Sequence, residues 1–240
     1  MREDGDVTVM SFNIHHGRGT DDVVNLERIA SVISASGAGI AGLQEVDRNF
    51  AARSNWADQA AELAELLDYH VAYGANIDAD PPAPGRPRVQ FGNAVLSRYP
   101  IACWQNTYLF RSASEEQRGL LHVEVDVPGT RLHVYVAHLD AFSETDRVRQ
   151  ARQVAEMVDE NCPAVLLGDF NARPEAPEIG SLRATLTDTW TAAADPPAAR
   201  IDYIFISQRL RALRTSLSTD DPAASDHLPV VSRLALGAGH

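Results

Sequence analysis

VLLGDFNARP, residues 165–174, is an apolar run that stops at Gly168 and then places Asp169 and Asn171 two positions apart. Residues i and i+2 of a strand share a face, about 6.5–7 Å apart, so this carboxylate and this amide lean over one small ligand. The same device recurs along the chain. VTVMSFNIHH (7–16) runs into Asn13 and His15, IAGLQEVD (40–47) into Glu45, and LHVYVAHLD (132–140) into His138 and Asp140. RIDYIFIS (200–207) opens an apolar strand with Asp202, and SDHLPVV (225–231) puts Asp226 and His227 just before another. Taken singly, each has a bland explanation: Asn13 or Asp226 caps a turn, Asp169 makes an Asx-turn with Asn171, and His16 is structural. Taken together, several apolar strands ending in Asn, Asp, Glu or His point to one shared site.

Working outward, short apolar, β-branched runs predict strands near 7–12, 39–44, 69–74, 91–97, 101–108, 119–127, 131–138, 164–168, 201–206 and 229–234. Helical spacing predicts three helices. In 21–36, Val23, Leu26, Ile29, Ala30 and Ile33 share a face, with Asp21 or Asp22 as N-cap. In 54–70, Trp56, Ala60, Leu63 and Leu67 do so behind Ser54 or Asn55, and in 143–160 Val148, Ala151, Ala155 and Val158 line up. The order is mixed and not a strict βαβ alternation, so two packed mixed sheets covered by helices is the economical architecture. Residues 76–90 and 194–200 read as surface loops, and no linker divides the chain, which predicts one domain over 1–240.

Composition narrows the partners. The chain has 240 residues, 45% of them hydrophobic, enough for a sizeable core. Its net charge is −12, from 21 basic and 33 acidic residues, and no lysine occurs, so every basic residue is Arg. That excludes a Schiff-base or P-loop lysine and argues against a broad basic face for tracking duplex nucleic acid. No apolar run reaches the roughly 18 residues of a membrane span. MREDGDVTVMSF has no leader-length apolar stretch. A cytoplasmic monomer is expected, with secretion after loss of a leader as the alternative. Cys103 and Cys162 have no metal spacing and read as unpaired thiols.

Asn, Asp and Glu oxygens gathered from several strand ends suit Mg²⁺ or Mn²⁺, whereas zinc would want more His or Cys at fixed spacing. FNIHHG, LQEVDR, GNAVLSRYP, HLD, GDFNARP, RIDYIF and SDHLPV, in this order across 8–231, resemble the endonuclease/exonuclease/phosphatase superfamily. The resemblance implies a four-layer α/β/β/α sandwich, as in deoxyribonucleases, and Mg²⁺-dependent hydrolysis of phosphoesters. It implies that Asn13 and Glu45 are the main metal ligands, with Asp226 nearby. Asp169 and Asn171 match the pair that orients or deprotonates the attacking water. Asp202 and His227 match an Asp–His dyad, and His138 a histidine at a phosphate oxygen or the leaving group. Asn93 and Arg118 match weaker positions near the scissile phosphate. Whether Asp169 or His227 takes the proton stays open at this level.

The Trp-Cys-Asp-Arg element of phosphoinositide phosphatases is absent where this chain reads ARIDYIF. The leading expectation is a Mg²⁺-dependent phosphodiesterase acting on nucleic acid or a small diester, with Arg86 and Arg88 as further phosphate contacts. The alternatives are a phosphomonoesterase for sugar or lipid phosphates and a catalytically silent scaffold.

Overall fold

A computed structural model describes residues 5–192, 197 and 199–237. Its strands are β1 (Asp6–Asn13), β2 (Ile40–Arg48), β3 (His70–Ala79), β4 (Val89–Ser97), β5 (Ile101–Tyr108), β6 (Gly119–Val127), β7 (Thr130–His138), β8 (Ala164–Asp169), β9 (Thr187–Asp188), β10 (Asp202–Ile206), β11 (Leu210–Leu217) and β12 (Val230–Leu236). The helices are α1 (Leu26–Ser36), α2 (Gln59–Leu67), α3 (Glu144–Met157) and α4 (Pro177–Arg183). The strands form two six-stranded sheets, in the orders β11-β12-β1-β2-β4-β3 and β5-β6-β7-β8-β10-β9.

Strand alternation sorts the apolar side chains into three cores. Val9, Ile40, Val95, Val123, Val136 and Leu167 meet between the sheets. Phe12, Leu43 and Leu96 face the other way, onto Ile29 and Ile33 of α1 and Leu63 of α2. On the far side, Tyr135, Leu166 and Phe205 pack with Ala151 and Val154 of α3 and with Ile179 and Leu182 of α4. This is the α/β/β/α sandwich that the sequence predicts.

Each sheet contains one parallel pair, β1–β2 and β7–β8, and all other pairings are antiparallel. α1 and α3 are the crossovers of these pairs, and ligands of α/β sheets gather beyond the carboxyl ends of such strands. The sheets approach closely at Gly42, where a Cβ would come within 2.7 Å of Leu167 Cδ1 and 2.8 Å of Val136 Cγ2. That close packing brings the two sets of carboxyl ends within hydrogen-bond reach of each other.

Several local expectations are corrected. α1 begins later than read: Asn25 caps it, its Oδ1 accepting the Arg28 N–H at 2.8 Å. Val23 lies outside the helix and is exposed. Asp58, and not Ser54 or Asn55, caps α2, and Trp56 precedes that helix with φ 58°. β11 was not anticipated, because an edge strand that turns Arg211 and Arg214 outward lacks an apolar run. α4 and β9 are too short to give a periodic signal. Of the loop read at 194–200, residues 194–196 and 198 lie outside the described residues.

Candidate active site

Register makes the first half of the site. His138 on β7 pairs with Asp169 on β8 in parallel, and Asp169 pairs with Asp202 on β10 antiparallel. Directly paired residues share a face, so the three side chains form one row across neighbouring strands.

The opposite sheet supplies the second half. Asn13 ends β1 and pairs with Gln44 of β2. Glu45 does not terminate its strand, contrary to expectation. β2 continues to Arg48, and its pairing with β4 shifts between Leu43 and Val46. This bulge, with Glu45 at φ 58°, re-aims the carboxylate towards the site. His15 (φ 46°), His16 (φ 45°) and Asn171 (φ 49°) are also left-handed. Such backbone costs of order 1–3 kcal/mol per residue and clusters where a site demands it.

Asp169 is the hub. Its Oδ1 accepts the Asn171 N–H at 2.9 Å, so the Asx-turn and a place in the site coexist. Its Oδ2 accepts from Asn13 Nδ2 at 3.1 Å and lies 3.5 Å from His138 Nε2 and 3.7 Å from His227 Nε2. The same Asn13 Nδ2 reaches Glu45 Oε1 at 3.1 Å, tying both sheets together. Ser225 Oγ donates to the Asn13 carbonyl at 2.8 Å and anchors the loop that carries His227.

Electrostatics separates the two histidines. His227 Nδ1 lies 2.8 Å from Asp202 Oδ2. Burial lowers its pKa, but the Asp202 hydrogen bond and the charges of Asp202, Asp169 and Asp226 outweigh this and raise it to about 9. His138 is held well below its ordinary value by burial, then by the Arg118 and His227 charges. Arg118 Nη1 donates to His138 Nδ1 at 3.3 Å, so the neutral ring carries its proton on Nε2. Asn171 Nδ2, 3.1 Å from that Nε2, also donates to the Leu139 carbonyl. The nearest carboxylate oxygen to that Nε2 is Asp169 Oδ2, at 3.5 Å. Burial, then the Asp202 charge, raise the Asp169 carboxyl, and burial raises Asp202.

The remaining expected residues lie further out. Asp226 is half exposed and faces His15 Nδ1 at 3.5 Å. Asp140 does not share the His138 face; its Oδ1 accepts the Phe142 and Ser143 N–H groups at the start of α3. Asn93 donates to the Gly119 and Val136 carbonyls between the sheets, beside Arg118. Buried Arg118 also pairs with Glu116 at 3.0 Å. Arg88 is spent on Asp78 and Asp80, and Arg86 lines a small cavity with Asn49, Trp56 and Pro82.

Sequence reasoning missed Arg53, Glu116 and the part played by His16. Arg53 grips Asp47 through two bonds of 2.9 and 2.7 Å, lies over the Phe50 ring and feels the Glu45 and Glu116 charges. His16 is lowered to about 4, by burial first and then by Arg53 and His15. Arg53 and Glu116 follow no apolar run, so spacing alone offers no signal for them, and His16, at the end of the 7–16 run, reads as structural from the sequence.

Two side-chain groups could hold a cation here, His15–His16–Glu45 and Asp169–Asp202–His227, with donor atoms in each within 4.8 Å of one another. Asn13 lies between them.

The family model described as Endonuclease/Exonuclease/phosphatase family matches residues 10–227. The YbhP protein of Escherichia coli K12 is 29% identical over 251 residues, covering 95% of this chain and 96% of that one. Among solved structures, an endonuclease/exonuclease/phosphatase from Beutenbergia cavernae DSM 12333 is 32% identical with TM-score 0.85, over 97% of this chain and 72% of that one. A mannosyl-6-phosphatase of Bacteroides thetaiotaomicron VPI-5482 shares the fold at 19% identity and TM-score 0.73, over 96% and 100%.

Proposed function

The chain belongs to the endonuclease/exonuclease/phosphatase family, and from that premise we propose that it is a Mg²⁺- or Mn²⁺-dependent hydrolase of phosphodiester bonds. The observation that carries the proposal is the convergence of Asn13, His138 and His227 on Asp169 Oδ2, within 3.1–3.7 Å. Such a grouping surrounds a point where a water and a phosphoryl group can be held together.

The residues fit a hard cation. Glu45 and Asp169 turn oxygens towards one amide, and buried carboxyl groups with raised pKa gain from a positive neighbour. Asn13 and Glu45 would hold the ion, which when bound supplies charge neutralisation at the phosphoryl oxygens. Asp169 orients the water and takes its proton, because His227 already carries one at neutral pH and has no free site for another. The His227 imidazolium, steadied by Asp202, donates from Nε2 to a non-bridging oxygen. His138 is a neutral Nε2–H donor, held in that tautomer by Arg118. Asn171 fixes the Asp169 carboxylate through its N–H, so much of the barrier is met by positioning.

A small substrate is favoured. The chain is strongly acidic, and Arg53 and Arg88 already have carboxylate partners, which leaves little positive potential to steer a polyanion. The shared fold with a mannosyl-6-phosphatase supports a second reading, a phosphomonoesterase for sugar phosphates. The test is hydrolysis of bis(p-nitrophenyl) phosphate, a dinucleotide, mannose 6-phosphate and a plasmid, with Mg²⁺, Mn²⁺ or EDTA. Preference for the small diesters, abolished by EDTA, is expected. Preference for the sugar monoester establishes the second reading, and full turnover in EDTA refutes both.

A further inference from the structure

We propose that the outer face of the second sheet carries a zinc-type metal site, ligated by His122, His133 and Glu124, with the exposed Cys103 thiol of the neighbouring strand swinging in as fourth donor. Leu121, Val123 and Val125 of β6 point into the core between the sheets. The alternate residues His122 and Glu124 therefore face outward. Glu124 pairs directly with Cys103 on β5 and with His133 on β7, so thiol, carboxylate and imidazole form one row across three strands. His122 stands two residues along the same face. The donor atoms of His122, Glu124 and His133 lie within 4.8 Å of one another, and Cys103, paired with Glu124 across β5 and β6, stands just outside that group.

The imidazoles meet nitrogen to nitrogen. His122 Nε2 and His133 Nδ1 are 3.0 Å apart, and the rings are within 15° of parallel. Two lone pairs cannot face each other at that distance unless a proton or a cation lies between them. Two nitrogens on a tetrahedral zinc, each about 2.0–2.1 Å from the metal, are about 3.3 Å apart. A modest opening of the pair, with His133 turning off the common plane, thus exchanges the bridging proton for the cation. His122 moves its proton to Nδ1, His133 keeps its own on Nε2, and the only proton released is that of the Cys103 thiol.

The surroundings suit this use. His122 stacks on Tyr135 at 4.3 Å and 6°, which fixes its plane. Arg131 takes Glu124 Oε2 at 3.1 Å, leaving Oε1 for a metal. Of the chain's two cysteines, Cys103 lies on this face, paired with Glu124. Nitrogen and sulfur donors select zinc here as firmly as oxygen donors select Mg²⁺ at the other site. His133 is five residues back from His138, roughly 16 Å along β7, so the two sites are separate. Four protein ligands leave no open position, which makes the role structural: a clasp across β5, β6 and β7.

The test uses chelator-stripped protein in saturating Mg²⁺, titrated with Zn²⁺ against a chromogenic chelator and with Co²⁺ by absorption. One tight equivalent is expected, with a thiolate-to-cobalt charge-transfer band that Cys103→Ser removes. His122→Asn combined with His133→Asn should weaken zinc binding by about 100-fold or more, beyond the effect of an outer-shell change. Wild-type crystals soaked in Zn²⁺ should show an anomalous peak between His122 and His133, a readout independent of how the variants fold. A peak confined to the Asn13–Glu45–Asp169 region, or unchanged affinity in the double variant, overturns the proposal.

Discussion

Replacing Asp202 by Asn tests whether His227 works as a cation. The change keeps shape but removes the charge that sits 2.8 Å from His227 Nδ1. In the native site burial pulls the imidazole down, and Asp202, with help from Asp169 and Asp226, lifts it from 6.5 to about 9. A difference of about 2.5 units favours the imidazolium by about 3 kcal/mol. Asp202→Asn withdraws the two largest raising contributions and leaves the burial, so the ring returns to its ordinary value or below. Near pH 8 the protonated fraction then falls from about 90% to about 3%, and the rate falls about 30-fold, whereas near pH 6 the loss is within about 3-fold. The assay is initial rates on bis(p-nitrophenyl) phosphate with saturating Mg²⁺ across that range, with the imidazole titration followed by NMR. Linkage adds a second readout. A raised histidine contributes stability that is present below about 6.5 and lost as pH rises through about 9. The metal-free native protein should therefore lose Tm across that window, and the variant should lose less. A rate profile parallel to the native one, lowered equally at all pH values, would refute the reasoning and leave Asp202 a packing residue.

Chelation by EDTA should abolish activity, and Glu45→Ala should raise the Mg²⁺ concentration needed for half-maximal rate; activity indifferent to both would remove Glu45 from the site. Asp169→Asn and His138→Ala should each lower kcat by about 10²-fold or more with little change in Tm, and matched losses of rate and stability would make them structural. At equal salt and Mg²⁺, kcat/KM should favour a dinucleotide-sized diester over a plasmid, and efficient nicking at low enzyme concentration would show that an Arg surface engages duplex DNA after all. Gly42→Val should cost about 1–3 kcal/mol in denaturant unfolding by forcing Leu167 and Val136 apart; a neutral result would mean that the sheets are not in tight contact there.

By itself the sequence determined the layers and pointed to most of the polar side chains that the fold brings together in the candidate site. Alternating apolar runs need no partner to be recognised, and a polar side chain at the end of such a run, as at Asn13, His138 and Asp169, betrays its position locally. Tertiary structure decided what the polar groups do. Glu45 enters the site through a bulge with left-handed backbone, which only the β2–β4 register reveals. Asp140 shares its spacing with the residues of the candidate site, yet its carboxylate holds the start of α3. His138 and His227 look alike as letters, but Arg118 beside one and Asp202 beside the other make the first neutral and the second cationic. Of the patch of His122, Glu124, His133 and Cys103, only His122 and Glu124 share a strand and a linear spacing, because three separate strands contribute to it. Periodicity is a property of neighbours along the chain, whereas charge, protonation and coordination depend on neighbours through space, and only the folded chain brings those together.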